Sequence, residues 1–405
     1  MLTLFRIALR NIGRNRRRTS ILVVTVAIGL LGTTLSMSLL WGIEQQMIET
    51  ATATDLGHLQ IHATGYNADP KISRLLSDGG KEIDGLLDGE PSVQAYSHRI
   101  RSEGLVTSPK ASVGLRILGV DAEREPEVSS IKNWIVEGDY LSGKRRESIV
   151  GRRLANRLGV QIGDKVIISA QDTQGNMTAE SIRITGIFRS VSSDIDSGYL
   201  FINLDQSAHI FGTHEAISEI VVVMNERQSA LPLQAKLSMN RPHLEVLRWD
   251  QLRPFIAFMM DTTQSVAASF YLVIFVAMAF GIANVMMMSI FDRVREIGVM
   301  LALGMSRTRL LLLIITEGVL VTIIGTAIGL ALSLGIVGAL SEGVDFSFYS
   351  AGFNDFGVGS RIVPLLKPED FILPIAISML TAFMASLWPA LRAVQLQPAE
   401  ATRHE

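Results

Sequence analysis

The chain has 405 residues, 48% hydrophobic and only 19% charged, with a formal net charge of −2. Soluble domains carry roughly a quarter charged residues, so this balance, with a mean hydropathy of +0.32, points to long apolar segments. Cysteine is absent, which excludes disulfides, thiolate metal sites and a cysteine nucleophile.

The chain starts basic. Arg6, Arg10, Arg14, Arg16, Arg17 and Arg18 come before any acid, the first of which is Glu44. A membrane crossing takes about 20 apolar residues, because about 30 Å of hydrocarbon is spanned at 1.5 Å per residue. Residues 21–43, 262–291, 310–340 and 371–391 meet that need, the third interrupted only by Glu317. The first stretch exceeds the apolar core of a signal peptide, lacks a small-residue cleavage site and ends near Trp41. It is read as an uncleaved anchor.

Lys and Arg near the span ends set the orientation. Besides the first cluster, Arg293, Arg295, Arg307 and Arg309 lie between spans two and three, and Arg392 follows span four. The connection between spans three and four has only Arg361 and Lys367, outnumbered by acids. Both termini and the 292–309 loop are therefore expected in the cytoplasm, with 44–261 outside it. The arginine cluster abuts a span, so topology explains it without a nucleic acid.

Residues 44–261 mix two periods. His58, Gln60 and His62 alternate with Leu59 and Ile61 in strand fashion, while Ile72, Leu75, Leu76, Ile83, Leu86 and Leu87 have helical spacing. Strands are expected over 113–120, 165–169, 181–188 and 221–223, and helices over 151–158 and 229–239. The mixture indicates an α+β domain of about 200 residues. On a strand His58 and His62 lie about 13 Å apart, too far to share a metal. Asp194 and Asp196 stand in the run SVSSDIDSG and read as a solvated turn rather than an acid–base pair. The chain has no P-loop, GxSxG or HExxH, so no enzyme chemistry is expected in it.

The stretch 292–309 reads DRVREIGVMLALGMSRTR. Val294, Ile297, Met300, Leu301 and Leu303 fall at helical spacing, Gly304 can stop that helix, and Ser306 can cap the next. Such a short amphipathic helix suits docking into a groove of a soluble partner or lying on lipid. Glu317 lies about 10 Å into span three, where it bonds a neighbouring helix or faces water near the cytoplasmic end. Gly325 and Gly329 form a GxxxG, read as general tight packing ahead of a dimer seam. Phe346, Phe348, Tyr349, Phe353 and Phe356 enrich the last external loop, as interface anchors or as a grip on acyl chains.

The segment REIGVMLALGMSRTRLLLLIITEG resembles the signature of MacB/FtsX-type (type VII) ABC transporter permeases, which include the lipoprotein-releasing, LolC/LolE-like branch. FRIALRNIGRNRRRTSILVV resembles the family's amphipathic start, and IVGRRLANRLGVQIGDKVII a motif of its periplasmic domain. WPALRAVQLQPAEATRHE resembles its closing segment, with Pro398, Glu400, Ala401 and Arg403 in family places and Thr402 departing from the usual leucine. The resemblance covers essentially the whole chain. It implies an integral membrane α-helical protein of four transmembrane helices, with a large periplasmic α+β domain inserted between helices one and two. The expected order is a cytoplasmic amphipathic helix (1–20), span one (21–43), a periplasmic MacB-like core domain (44–261), span two (262–291), a coupling helix and turn (292–309), span three (310–340), a periplasmic loop (341–370), span four (371–391) and a cytoplasmic tail (392–405).

Several roles follow from that resemblance. The short helix becomes the coupling helix that touches the ATPase, through Arg293, Arg295, Glu296, Ile297, Gly298, Leu301, Leu303 and Gly304. The family also has an acid at the place of Glu317. The chain becomes a non-catalytic inner-membrane permease, paired with an identical or paralogous second permease and with two copies of an ABC ATPase. The chain starts about 20 residues before span one, so ATP and Mg are expected on that separate partner. Span two, preceded by apolar 254–260, becomes a stalk carrying motion outward. The run GHLQIHATGY and the domain's size favour the lipoprotein-releasing branch. In that branch Leu40, Ile43, Met47, Phe255, Phe258, Met259, Phe346, Phe348 and Phe371 would contact lipid-like cargo. The alternatives are a tripartite-efflux permease for peptides, antibiotics or toxins, a regulatory module activating a cell-wall hydrolase, and a receptor without an ATPase.

Overall fold

The computed structural model describes residues 2–14, 16–70, 72, 74–366 and 368–395. Pro398, Glu400, Ala401, Thr402 and Arg403 of the closing motif lie outside the described residues. The chain divides into two compact units. One comprises residues 1–43, 260–344 and 362–405, and the other 44–259 and 345–361.

The first unit is helical. Its elements are α1 (Leu2–Arg14), α2 (Arg16–Ala51), α3 (Pro254–Phe291), α4 (Val294–Ala302), α5 (Arg307–Ala339) and α6 (Ile372–Val394), with α2 and α3 continuing into the second unit. The arginines at 16–18 form the first turn of α2. After Ala51 the helix continues as one π turn, Thr52–Leu56. Among the described residues, four helices are long and apolar enough to cross a membrane: α2 with its π turn, α3, α5 and α6. Their shared core gathers Leu22 and Val26 from α2, Phe275, Met278 and Ile282 from α3, Leu310 and Ile314 from α5, and Ala382 and Ala385 from α6. Small residues let the backbones close in. A Cβ added to Gly325 would lie 2.7 Å from Val26 Cβ, and one on Gly329 would lie 2.9 Å from the Ala27 carbonyl oxygen. The GxxxG of α5 thus packs on α2 of the same chain.

The second unit is built on a ten-stranded sheet. Its strands are β1 (Leu59–Ala63), β2 (Val93–Thr107), β3 (Ser112–Val120), β4 (Ile135–Gly138), β5 (Glu147–Gly151), β6 (Lys165–Gln171), β7 (Met177–Phe188), β8 (Tyr199–Asn203), β9 (Glu219–Met224) and β10 (Leu244–Arg248). The order is β10-β1-β9-β2-β3-β8-β5-β7-β4, with β6 bridging β2 and β7. Most ladders are antiparallel, but β3 and β8 run parallel, as do β5 and β7. Alternate strand residues such as Ile100, Val106, Ile117, Ile168 and Ile184 point into one core, closed by Leu154 and Leu158, Ile210 and Phe211, and Leu233 and Leu237 from three helices.

Two stretches of this unit depart from their sequence expectation. Among the described residues, the helical spacing from Ile72 to Leu87 yields a helix only over Lys81–Asp88. Gly79 and Gly80 take left-handed φ of 71° and 83°, which ends any earlier helix, and Leu76 instead bridges Ile217 of the strand region. Asp196 is not in a solvated turn. It sits in the helix Ser193–Gly198, is 3% exposed, and accepts the backbone N–H groups of Arg152, Arg153 and Ser190. Its carboxylate satisfies the free donors at the start of the helix Arg152–Leu158, a role invisible without the fold.

Candidate functional site

The short helix α4 is built from local signals. Its C-terminus closes in a Schellman motif: Met305 N–H reaches the Met300 carbonyl at 3.0 Å and Gly304 N–H reaches that of Leu301 at 3.0 Å. Gly304 supplies the left-handed residue, with φ of 92°. Ser306 then accepts the Arg309 N–H at 3.4 Å and caps α5. The eight residues of this region divide by face. Ile297 and Gly298 are buried and Leu301 packs on the helical core, whereas Arg295, Glu296, Leu303 and Gly304 are exposed. Leu303 is 83% exposed.

Arg293 is the pivot of a charged cluster at the base of α4. It bonds Glu296 at 3.2 Å and Glu317 at 3.1 Å. Glu317 also accepts from Asn11 Nδ2 of α1 at 2.5 Å, so this acid joins α5 to α1 and to the start of α4. Arg14 donates to both oxygens of Glu296, and Arg18 pairs with Asp292. The hydrogen bond from Arg14, aided by Arg293, holds the Glu296 carboxyl below the usual glutamate range. The early arginines therefore grip the α4 loop, a contact that their basic, span-flanking pattern did not announce.

The nine residues assigned to cargo are less unified. Leu40, Ile43 and Phe371 are half-buried in the helical unit. In the second unit, Met47 and Phe255 line one cavity of about 150 Å³, with Thr50, Ala51, Ile256 and Phe356. Phe255 stacks on Phe356 with ring centres 6.0 Å apart. Phe346 instead packs edge-on against Phe353, Phe258 is exposed, Met259 is half-buried, and Phe348 is 93% exposed. None of those four lines the cavity.

Sequence reading missed a buried ion network in the same unit. Arg99, fully buried, makes a two-pronged pair with Glu125 at 2.6 and 3.1 Å. Its remaining nitrogen donates to the Asp55 carbonyl at 2.6 Å. Arg101 joins Asp55 Oδ1 at 2.5 Å to Glu219 Oε1 at 2.9 Å. Tyr199 Oη adds a bond to Asp55 Oδ2 at 3.0 Å, and Arg253 reaches that oxygen at 3.3 Å. Burial works to raise the Glu219 carboxyl, but the charge and hydrogen bond of Arg101, with Arg99 beyond, outweigh it and hold it low. The signal in the sequence was slight: two arginines two apart in β2 and a glutamate opening β9. Only the register, which sets Arg99 opposite Glu219, turns them into a pair.

Residues 19–238 match the MacB-like periplasmic core domain, and residues 268–398 match the FtsX-like permease C-terminal domain. This chain is a MacB/FtsX-type permease. The permease is 23% identical to the lipoprotein-releasing system transmembrane protein LolE of Haemophilus influenzae, over 93% of this chain and 92% of that protein. It is 23% identical to the corresponding protein LolC of Xylella fastidiosa, over 78% and 79%. It is also similar to the macrolide export ATP-binding/permease protein MacB of Bordetella avium, 21% identical over 99% of this chain but 60% of that longer protein. As an ABC transporter permease of this type, it places its α/β unit where the periplasmic core family is matched and its α4–α5 region inside the FtsX-like match.

Proposed function

We propose that the chain is a four-span inner-membrane permease that converts ATP-driven closure of a separate ATPase pair into movement of its external domain. Its termini and the α4 loop lie in the cytoplasm, and its cargo is a lipoprotein or a similar acylated amphiphile. The observation that carries this reading is the length of α3. Its 38 residues extend about 57 Å at 1.5 Å per residue, against about 30 Å of hydrocarbon. The helix itself is unbroken from Pro254 to Phe291, and its first residues, 254–259, belong to the α/β unit. Outward-facing Leu272, Val273 and Phe280 on α3 suit a lipid surround. At the cytoplasmic end, exposed Arg295, Val299 and Leu303 offer α4 a mixed charged and apolar face for an ATPase groove. Glu296 and Gly298 belong to this coupling element, and their substitution is expected to uncouple hydrolysis from transport while the chain still inserts.

One apolar-lined cavity suits a lipid cargo. About 150 Å³ lined by Met47, Phe255 and Phe356 is below the roughly 300–1,000 Å³ of drug-sized pockets, yet suits a narrow acyl chain. Purification of the complex from its native host, followed by mass spectrometry, tests both halves. A stoichiometric ATPase with diacyl or triacyl lipoprotein is expected. A soluble peptide or macrolide in its place would shift the cargo to the efflux class, and absence of any ATPase would refute coupling to a separate ATPase.

A further inference from the structure

The two long helices enter the α/β unit in different ways. At the start of α3, the four-residue helix Trp249–Leu252 is anchored by buried Trp249, and α3 begins at Pro254. Arg253 stands alone between them, with φ −127° and ψ 76°, outside the helical range. This break is written in the sequence, because a proline ring disfavours helical backbone at the residue before it and removes an N–H from the ladder. The break at the end of α2 is packed shut: Gly57 takes φ 60° and ψ −163° against the sheet. The helix runs through its π turn to Gly57, where an added Cβ would lie 2.5 Å from Val221.

The side chains repeat the contrast. Asp55, at the end of α2, is 4% exposed. It is held by Arg101 and Tyr199 through its carboxylate, and by Arg99 and Gln60 through its carbonyl. Breaking any buried arginine contact would strand a charge away from water. Arg253 differs. Its side chain is 40% exposed and touches Asp55 once, at 3.3 Å. Water can take over its guanidinium, and Arg101 keeps Asp55 neutralised when Arg253 leaves. Asp55 and Arg253 also border both the apolar cavity and a polar cavity of about 240 Å³, so this pair is a wall the two share.

We propose that Arg253 is both the hinge and the latch of α3. The end of α2 moves with the sheet as one body. The outer end of α3 pivots at the Arg253–Pro254 junction, and the Asp55–Arg253 contact holds it in one of its positions. The inference deepens the permease reading, since a lever needs one fixed arm and one jointed arm, but its test requires neither ATPase nor cargo.

The chain contains no cysteine, so Glu49→Cys on α2 and Phe258→Cys on α3 accept spin labels at those two positions alone. Both side chains are exposed. Distances between the labels are measured by pulsed electron resonance in the full chain in lipid nanodiscs, with Arg253 present and with Arg253→Ala, alongside thermal melting of both. The latch predicts a narrow distribution with Arg253 and a broadened or second population with Arg253→Ala, at a melting temperature within a few degrees of the parent. Arg99→Ala, as the welded counterpart, melts far lower. An unchanged distance distribution in Arg253→Ala overturns the proposal. So does a fall in melting temperature as large as that of Arg99→Ala, which would make Arg253 part of the weld. Failure to recover an ATPase counts against coupling to a separate ATPase and leaves these distances as evidence.

Discussion

At the scale of single residues, the buried charges of the α/β unit set its stability. Breaking a buried pair by removing one partner costs about 3–5 kcal/mol, because the other charge is left without water or counter-ion. Arg99→Ala or Glu125→Ala is therefore expected to cost about that much, read as a fall in the thermal midpoint of the purified chain. Replacing both by apolar residues of similar volume should recover much of it. Arg253→Ala, on a partly exposed and screened contact, should cost no more than about 1 kcal/mol. Glu219 adds a pH dependence. Its carboxyl is held below the usual range in the folded chain, so the unfolded chain binds more protons as pH falls through about 4.3. Its stabilisation is complete above that pH and is lost as pH drops toward the lower folded value. The Glu219 contribution to the thermal midpoint should be flat from neutral to about pH 5.5 and decline below, on top of the earlier loss as pH falls through about 6.5 that His58 and His62 bring, since burial lowers both imidazoles. Glu219→Gln should start lower but decline less steeply in acid, and an equal slope would show that another carboxylate carries the effect.

At the scale of elements, what was legible in the sequence was whatever is decided within a few residues. The stripe of Ile297, Met300 and Leu301, the stop at Gly304 and the cap at Ser306 are local signals, and the structure places each on the expected part of the turn. The helix before Asp88 was half misread because spacing alone cannot see that two left-handed glycines interrupt it. Asp196 was misread because its donors lie some forty residues away in sequence, and Arg99 escaped notice because its partners come from three other segments. The GxxxG pattern announced close approach but not the partner, which is α2 of the same chain. That assignment is testable. A side chain at Gly325 would drive into Val26, and overpacking of a tight contact costs about 1–3 kcal/mol. Gly325→Leu should lower the thermal midpoint, and adding Val26→Ala should restore part of it. Gly335→Leu, on the same helix but with open space around it, should be nearly neutral. Equal loss in both variants would remove the packing role of the motif.

At the scale of the whole molecule, the four long helices were the most legible feature and the sheet order the least. A span is fixed by about 20 consecutive apolar residues, whereas the parallel pairing of β3 with β8 joins segments about eighty residues apart. Between these extremes stands the membrane orientation, which rests on where the arginines fall. Six precede Glu44, and the α4 loop carries four more. Moving a cluster of cations through the bilayer is costly, so both are expected to stay in the cytoplasm and the α/β unit on the far side. The absence of cysteine makes a direct test clean. Gln174 lies exposed in the β6–β7 turn and Arg295 lies exposed on α4. In intact spheroplasts, a membrane-impermeant maleimide should label Gln174→Cys and spare Arg295→Cys, and permeabilisation should make the second react as readily as the first. The reverse pattern would put the α4 face on the wrong side for an ATPase that draws on cytoplasmic ATP. Labelling of both before permeabilisation would mean that the charge asymmetry does not set this chain's topology. The expected pattern would leave α4 as an exposed helix on the nucleotide side, following a 38-residue helix that begins just after the non-helical Arg253.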